Sequence, residues 1–280
     1  MKYRTVRCLL MTAESKNALE ALGRVFEGLA RDGVFAIAYS GGLDSRFLSF
    51  AAQKLGYKPV LMHICGPHIP KRETEEAVEW AKKRGLELRV FELNPLEEEH
   101  VAAGEKMRCY WCKQRLFRHL LKQTDLTLVD GTNHSDTKAF RPGMKVLEEL
   151  GVRSPLKEAG LTKPAIRRIG AELGFDNPEQ PSRPCLLTRF PYGYRTSPEL
   201  LRFFEEKEAE FAEMLGGMLQ REANFRIRLV EEKPVLHILS EDFEALDDVQ
   251  CDALKEAATK SDITVEPQKV LSGFFDNKKA

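Results

Sequence analysis

Ser40-Gly41-Gly42-Leu43-Asp44-Ser45 gathers glycines, hydroxyls and a carboxylate within one short stretch. It follows the apolar run 34–39 and precedes Phe47, Leu48, Ala51, Ala52 and Leu55 at helical spacing, with Gly56 as a terminator. A short, partly β-branched apolar run suits a parallel strand buried on both faces, so the hexapeptide joins a strand to a helix. Glycines at 41 and 42 let the main chain approach a phosphate, and the first amides of a helix, at its positive end, favour an anion. Ser40 and Ser45 can donate to phosphate oxygens, and the Asp44 carboxylate can hold an accompanying magnesium ion. The alternative is a tight glycine turn in which Asp44 caps the helix. No Gly-Lys-Ser/Thr ending is present, so the stretch is not a Walker A loop. ATP is the first ligand to consider.

Cys109 and Cys112 form a C-x-x-C pair within 107–113. Two intervening residues let both sulfurs face one point, which suits a shared metal or a reversible disulfide. One such pair is half of a zinc site, and no second pair completes it. Cys8 and Cys251 read as structural, the latter in a helical pattern near Leu246 and Leu254. Cys65 follows the second predicted strand. Cys185 stands in a proline-rich stretch between Arg183 and Arg189. Cations beside a loop thiol favour the thiolate, the reactive and metal-binding form; an inert loop cysteine is the alternative.

The elements that must position these groups follow from periodicity. Helices are expected over 14–30, 73–84 and around Leu116 to Leu121, and strands over 34–39, 59–64, 88–91 and 126–129. Strands alternating with helices predict an α/β, doubly wound parallel sheet, with ligands at the carboxyl ends of its strands. The loop at Ser40 lies at such an end. Residues 176–184 carry three prolines and cannot continue a helix. Beyond them, helices over 198–215 and 249–258 and strands over 225–230, 235–239 and 263–265 predict a smaller C-terminal α+β domain. The expected organisation is therefore 1–175, a cysteine-bearing linker 176–196, and 197–280.

The chain has 280 residues, with 43 basic against 43 acidic side chains. That balance gives no global basic excess of the kind that marks nucleic-acid binders. No apolar stretch is long enough to cross a bilayer and no signal-peptide core follows Met1, so a cytoplasmic protein with reduced thiols is expected.

The hexapeptide resembles the SGGxDS loop of the N-type ATP pyrophosphatases, the PP-loop or adenine nucleotide alpha hydrolase-like enzymes. Pro181 to Gly193 resembles the P-x-x-A-C-L-A-S-R-x-P-Y-G signature of the LarE family of ATP-dependent sulfur transferases, with Pro184 in place of the usual alanine and Leu187-Thr188 in place of Ala-Ser. The same resemblance runs through 108–113, 131–136, 140–143, 154–163 and the helix with Ile166, Arg167 and Gly174.

It implies that ATP adenylylates a carboxylate of a pyridinium mononucleotide, releasing pyrophosphate, and that sulfur then replaces the activated oxygen to give a thiocarboxylate. The product is a precursor of the nickel-pincer nucleotide cofactor. ATP would be bound by Ser40, Gly41, Gly42, Asp44, Ser45, His63 and Gly131, with Mg2+ on Asp44. A [4Fe-4S] cluster on Cys109, Cys112 and Cys185 is the expected sulfur carrier, loaded by sulfide or a cysteine-derived donor. A sacrificial Cys185 acting once is the alternative.

Arg141, Arg189, Arg195, Arg226 and Arg228 are candidate anion partners, since guanidinium forks match phosphate and carboxylate. Arg226 and Arg228 alternate along one predicted strand and match an R-V-R strand of the family. Pro234 to His237 departs from the family's A-R-I-E. Asp130 and Asp136 are either nucleotide contacts or turn formers. The resemblance further implies a homo-oligomer, a trimer or hexamer. Competing activities are tRNA thiolation and amidation, the latter lacking a glutaminase domain to supply ammonia.

Overall fold

The computed structural model describes residues 11–138 and 142–276. Cys8, Phe140 and Arg141 therefore lie outside the described residues. In chain order the elements are α1 (Ala13–Glu27), β1 (Val34–Ala38), α2 (Leu43–Lys54), β2 (Lys58–Cys65), α3 (Lys71–Lys83), β3 (Glu87–Glu92), α4 (Glu99–Ala102), α5 (Arg108–Leu121), β4 (Leu128–Val129), α6 (Pro142–Glu149), α7 (Pro155–Glu158), α8 (Lys163–Leu173), α9 (Pro198–Leu219), β5 (Phe225–Val230), β6 (Lys233–Leu239), α10 (Ser240–Glu244), α11 (Asp248–Lys260) and β7 (Thr264–Gln268). They form two compact units. One holds the described residues up to Glu98 together with Met107–Arg183, and the other holds Glu99–Lys106 and the described residues from Pro184 onward.

In the first unit, strand order is β3-β2-β1-β4 and every pairing is parallel. The β1 sequence VFAIA explains its central place. Successive side chains point to opposite faces. Phe35 and Ile37 join one apolar cluster with Leu22 and Phe26 of α1, Phe47 and Phe50 of α2, Trp80 of α3 and Ile166 of α8. Ala36 joins a second cluster with Met62, Ile64, Phe117 and Leu120 of α5, and Leu147 of α6. A strand covered on both faces has no polar side to present, which is why its sequence does not alternate.

Helix ends are set by local chemistry. Thr162 accepts from the Ala165 amide at the start of α8, and Gly174 closes that helix in a left-handed conformation at φ 71°. The expected strand over 126–129 is reduced to Leu128–Val129, because β4 pairs with β1 only through Ala36 and Ile37.

The second unit contains a mixed three-stranded sheet, β5-β6-β7, with β5 and β6 antiparallel and β6 and β7 parallel. The β5–β6 turn is made by Glu231 and Glu232, both at positive φ. α11 begins with a capping box between Asp247 and Gln250. The expected helix over 198–215 runs on to Leu219, through Gly216 and Gly217. Among the described residues no helix is long and apolar enough to cross a membrane.

Candidate active site

Strand order reverses beside β1. From β1 the chain steps to β2 and then β3 on one side, while β4 lies on the other. Loops leaving the carboxyl ends of β1 and β4 diverge at such a point and leave a crevice. Here that crevice is a cavity of about 330 Å³ lined by Ser40, Gly42, Asp44 and Ser45 from the first loop and Asp130, Gly131 and Thr132 from the second. Met62, Ile64, Leu116 and Phe117 form its apolar wall. Ligand pockets are typically lined by apolar side chains with a few placed polar groups, and this cavity has both.

The first loop is shaped by close approach. Gly41 has φ 76°, and a Cβ there would lie 2.6 Å from the Ala77 Cβ, so conformation and space both demand glycine. Gly42 is the N-cap of α2 and contributes no side-chain cap, which leaves the first amides of a 12-residue helix for an anion. The serines curl the loop: the two hydroxyls lie 3.1 Å apart, Ser40 Oγ accepts from the Gly42 amide, and Ser45 Oγ donates to the Gly42 carbonyl. Gly131 passes over the start of α2, where a Cβ would come 3.0 Å from the Ser45 nitrogen.

Asp44 does not cap its helix. Its Oδ2 accepts from Lys163 Nζ at 2.8 Å. Lys163 opens α8, 119 residues along the chain, and places an ammonium beside the Ser40–Ser45 loop. Asp130 is committed to its own turn: its carboxylate accepts from the Thr132 amide and hydroxyl and from the Ser154 hydroxyl. Asp136 lines the cavity and accepts from the Asn133 amide at 3.1 Å.

His63 supports the loop from behind. It is fully buried, with Nδ1 2.9 Å from the Tyr39 carbonyl and Nε2 3.3 Å from Thr74 Oγ1, and it does not line the cavity. Burial pushes its pKa down, against the opposing hydrogen bond to Tyr39.

His68, beyond β2, is 3% exposed, and burial followed by the neighbouring His63 lowers its pKa from 6.5 to about 4. The unfolded chain therefore takes up a proton near pH 6.5 that the folded chain refuses until about pH 4. The associated stability is complete above pH 6.5 and is lost as pH falls toward 4, a loss on the order of 3 kcal/mol. Urea unfolding at pH 7 and pH 4.5 measures it: His68→Phe is expected to flatten this part of the pH dependence, and an unchanged slope would absolve His68.

Gln180 ties the stretch before Cys185 to the Ser40–Ser45 loop. Its Nε2 donates to the Gly41 carbonyl at 3.3 Å, and the side chain is buried. Arg183 pairs with Glu76 of α3, and Arg167 of α8 pairs with Glu179. Cys109 and Cys112 stand three residues apart near the start of α5, the former exposed and the latter buried.

In the second unit, Cys185 precedes a short 3-10 turn, and its carbonyl accepts from Thr188 Oγ1 at 2.8 Å. The structure thus assigns two of the expected cluster thiols to one unit and the third to the other. Among the described residues no group of three or more His, Cys, Asp and Glu side chains is placed to hold a metal ion.

Arg189 is 5% exposed and gives its fork to Glu208 at 2.8 and 2.9 Å. Arg195 is surface-exposed and pairs with Glu99. Arg226 and Arg228 share one face of β5. His237, opposite Arg226 on β6, lies with Nδ1 2.8 Å from Arg228 Nη1.

No protein-family model matches the chain. It is 28% identical over 163 residues to the pyridinium-3,5-bisthiocarboxylic acid mononucleotide synthase of Lactiplantibacillus plantarum, covering 56% of this chain and 59% of that protein. It is 35% identical over 195 residues to the uncharacterized protein slr1717 of Synechocystis, covering 68% of this chain and 70% of the relative. With MJ0830 of Methanocaldococcus jannaschii it shares 32% identity over 188 residues, 66% of this chain and 71% of the relative. An α/β chain with a glycine-bearing loop at its switch point, similar over two thirds of its length to these two proteins, belongs to the family of slr1717 and MJ0830.

Proposed function

We propose that the chain is an ATP-dependent sulfur transferase that activates a carboxylate of a pyridinium mononucleotide in nickel-pincer nucleotide synthesis. The observation that carries the reading is the uncapped helix start at Gly42 facing a cavity at the sheet's switch point, in a chain 28% identical to a pyridinium-3,5-bisthiocarboxylic acid mononucleotide synthase. Glycine-lined amides cradle the phosphates, while the apolar wall of the cavity receives the adenine.

In the first step a substrate carboxylate oxygen attacks the α-phosphorus of ATP. The bond to the bridging oxygen breaks, pyrophosphate departs with its electrons, and an acyl adenylate remains. Asp44 would hold Mg2+, which takes one or two carboxylates together with phosphate oxygens and would neutralise the departing charge. Lys163, beside Asp44, supplies a second positive group at the same place. In the second step a sulfur nucleophile attacks the acyl carbon and AMP leaves.

The sulfur source divides the proposal. Cys109, Cys112 and Cys185 have the donor chemistry of a [4Fe-4S] site. No group of three such donors gathers among the described residues, so no step is routed through a cluster. The second reading has Cys185 give up its own sulfur.

The test is anaerobic purification and reconstitution with iron and sulfide, comparing iron content and visible absorption of wild type with Cys109→Ala, Cys112→Ala and Cys185→Ala. Alongside it, pyrophosphate release from ATP is followed with the pyridinium mononucleotide. Pyrophosphate that appears only with that acceptor supports the transferase; none with any mononucleotide carboxylate refutes it. Iron lost in all three variants selects the cluster, and no iron in wild type selects the sacrificial thiol.

A further inference from the structure

The peptide joining Gly41 to Gly42 is gripped on both of its polar atoms. Gly42 lines the cavity together with Ser40, and its amide donates to Ser40 Oγ at 3.3 Å. In a planar trans peptide the carbonyl and the N–H that follows it point in opposite directions. The Gly41 carbonyl is accordingly turned the other way, where it accepts from Gln180 Nε2 at 3.3 Å. Gln180 is 3% exposed, and its Oε1 has no partner among the described residues, so only the donor end of the amide is in use.

Gln180 is delivered by a braced turn. Its own amide donates to the Asn177 carbonyl at 3.1 Å, and Asn177 adopts φ 51°. Arg167 of α8 donates to the Pro178 and Gln180 carbonyls at 3.4 and 3.5 Å and pairs with Glu179. One guanidinium thus holds three successive residues, and the side chain that reaches Gly41 starts from a backbone already fixed.

This bracing matters because a peptide between two glycines is free to turn over. Gly42 has φ −76°, and half a turn of the preceding peptide would carry it to positive φ, which glycine populates about as readily. The turned-over peptide would swing the Gly41 carbonyl toward Ser40 and withdraw the Gly42 N–H. A carbonyl oxygen carries partial negative charge and repels a phosphate, whereas an N–H attracts one. Neither glycine has a side chain to bias the choice.

We propose that Gln180 is a positioning residue that keeps the Gly41–Gly42 peptide turned with its N–H toward the phosphates of a bound nucleotide. The inference rests on the nucleotide reading of the cavity. Gln180 acts through the main chain of Gly41 and touches no reacting atom.

Two substitutions separate donor from shape. Gln180→Met keeps the length and removes the donor, and Gln180→Glu, once ionised, offers only an acceptor and so favours the turned-over peptide. ATP with Mg2+ is titrated by calorimetry against wild type and both variants. Affinity follows the fraction of molecules in the binding orientation, so a loss of about tenfold is expected for Gln180→Met and a larger one for Gln180→Glu. The peptide itself is read by NMR. Glycine labelled with 13C at the carbonyl and with 15N gives a correlated signal only where one glycine follows another, at 41–42 and at 216–217 within α9. In the ligand-free variants the Gly42 signal is expected to shift or split while that of Gly217 stays in place, and saturating ATP should return it to the wild-type position. Unchanged ATP affinity in both variants, an unchanged Gly42 signal in both, or a Gly217 signal that moves as far as that of Gly42 would each overturn the assignment. A wild type that binds no ATP would sink the nucleotide reading instead, and the ligand-free Gly42 signal would still decide whether Gln180 orients the peptide.

Discussion

Cys185→Ala is expected to abolish thiocarboxylate formation while leaving ATP-dependent pyrophosphate release within about twofold of wild type. The two steps use different groups. In the proposed reaction adenylation would use the loop at Ser40–Ser45 and the β4 turn, all in the first unit, whereas Cys185 belongs to the second. If Cys185 is sacrificial, its thiolate attacks the acyl adenylate, AMP leaves and a thioester forms. Loss of the Cys185 Cα proton then breaks the Cβ–S bond, the sulfur departs as the thiocarboxylate, and dehydroalanine remains. Intact-mass analysis after one turnover would show the chain lighter by the mass of one hydrogen sulfide molecule. Turnover without that loss, combined with iron bound in wild type, would assign the sulfur to a cluster. Wild-type transfer by Cys185→Ala would remove the residue from the chemistry altogether.

Asp44→Asn is expected to cut pyrophosphate release by about 10²–10³, the usual magnitude for deleting a group that stabilises charge developing in a transition state. The substitution keeps size and hydrogen-bonding capacity but deletes the charge that would hold Mg2+ and that now faces Lys163 at 2.8 Å. Lys163→Met should produce a loss of the same kind, mostly in kcat, if the ammonium turns to the β- and γ-phosphates once the nucleotide is bound. Because both substitutions remove half of one ion pair, their effects should not add. A double variant no slower than the worse single one is the expected outcome, read as a double-mutant cycle on pyrophosphate release. Full additivity would mean that the two residues act on separate events.

The glycine turn at Ser40–Ser45 was legible because its signal is local. A glycine pair between a two-face-buried strand and an amphipathic helix specifies both the turn and its neighbours, and Gly41 occupies a conformation and a space that only glycine fits. Lys163 and Gln180 were not assigned roles from sequence. They reach Asp44 and Gly41 from 119 and 139 residues away, and nothing in their own surroundings encodes that meeting. Arg189 shows the converse limit. A cation beside a loop cysteine looks available in sequence, but Glu208, nineteen positions on, claims its fork. His63 stands where the resemblance implied an adenine contact, and burial between Tyr39 and Thr74 gives it a supporting place. The β5–β6 turn lacked the Asn-Gly signal of a two-residue hairpin because two glutamates adopt positive φ there.

The short excursion Glu99–Lys106 bears on how this chain can be dissected. It belongs to the second unit although it interrupts the first, and it is stitched there by Gly193 donating to the Gly104 carbonyl and Thr196 to the Ala102 carbonyl. A Cβ on Gly104 would fall 2.4 Å from the Tyr194 carbonyl oxygen, so the packing tolerates no larger residue. Neither unit is therefore a contiguous stretch of gene. Cutting after Arg183 strips the excursion of its partners, and grafting residues 184 onward to another protein leaves a gap where the excursion should sit. Recombination that swaps segments end to end would break this architecture, so the two units are bound to be inherited together.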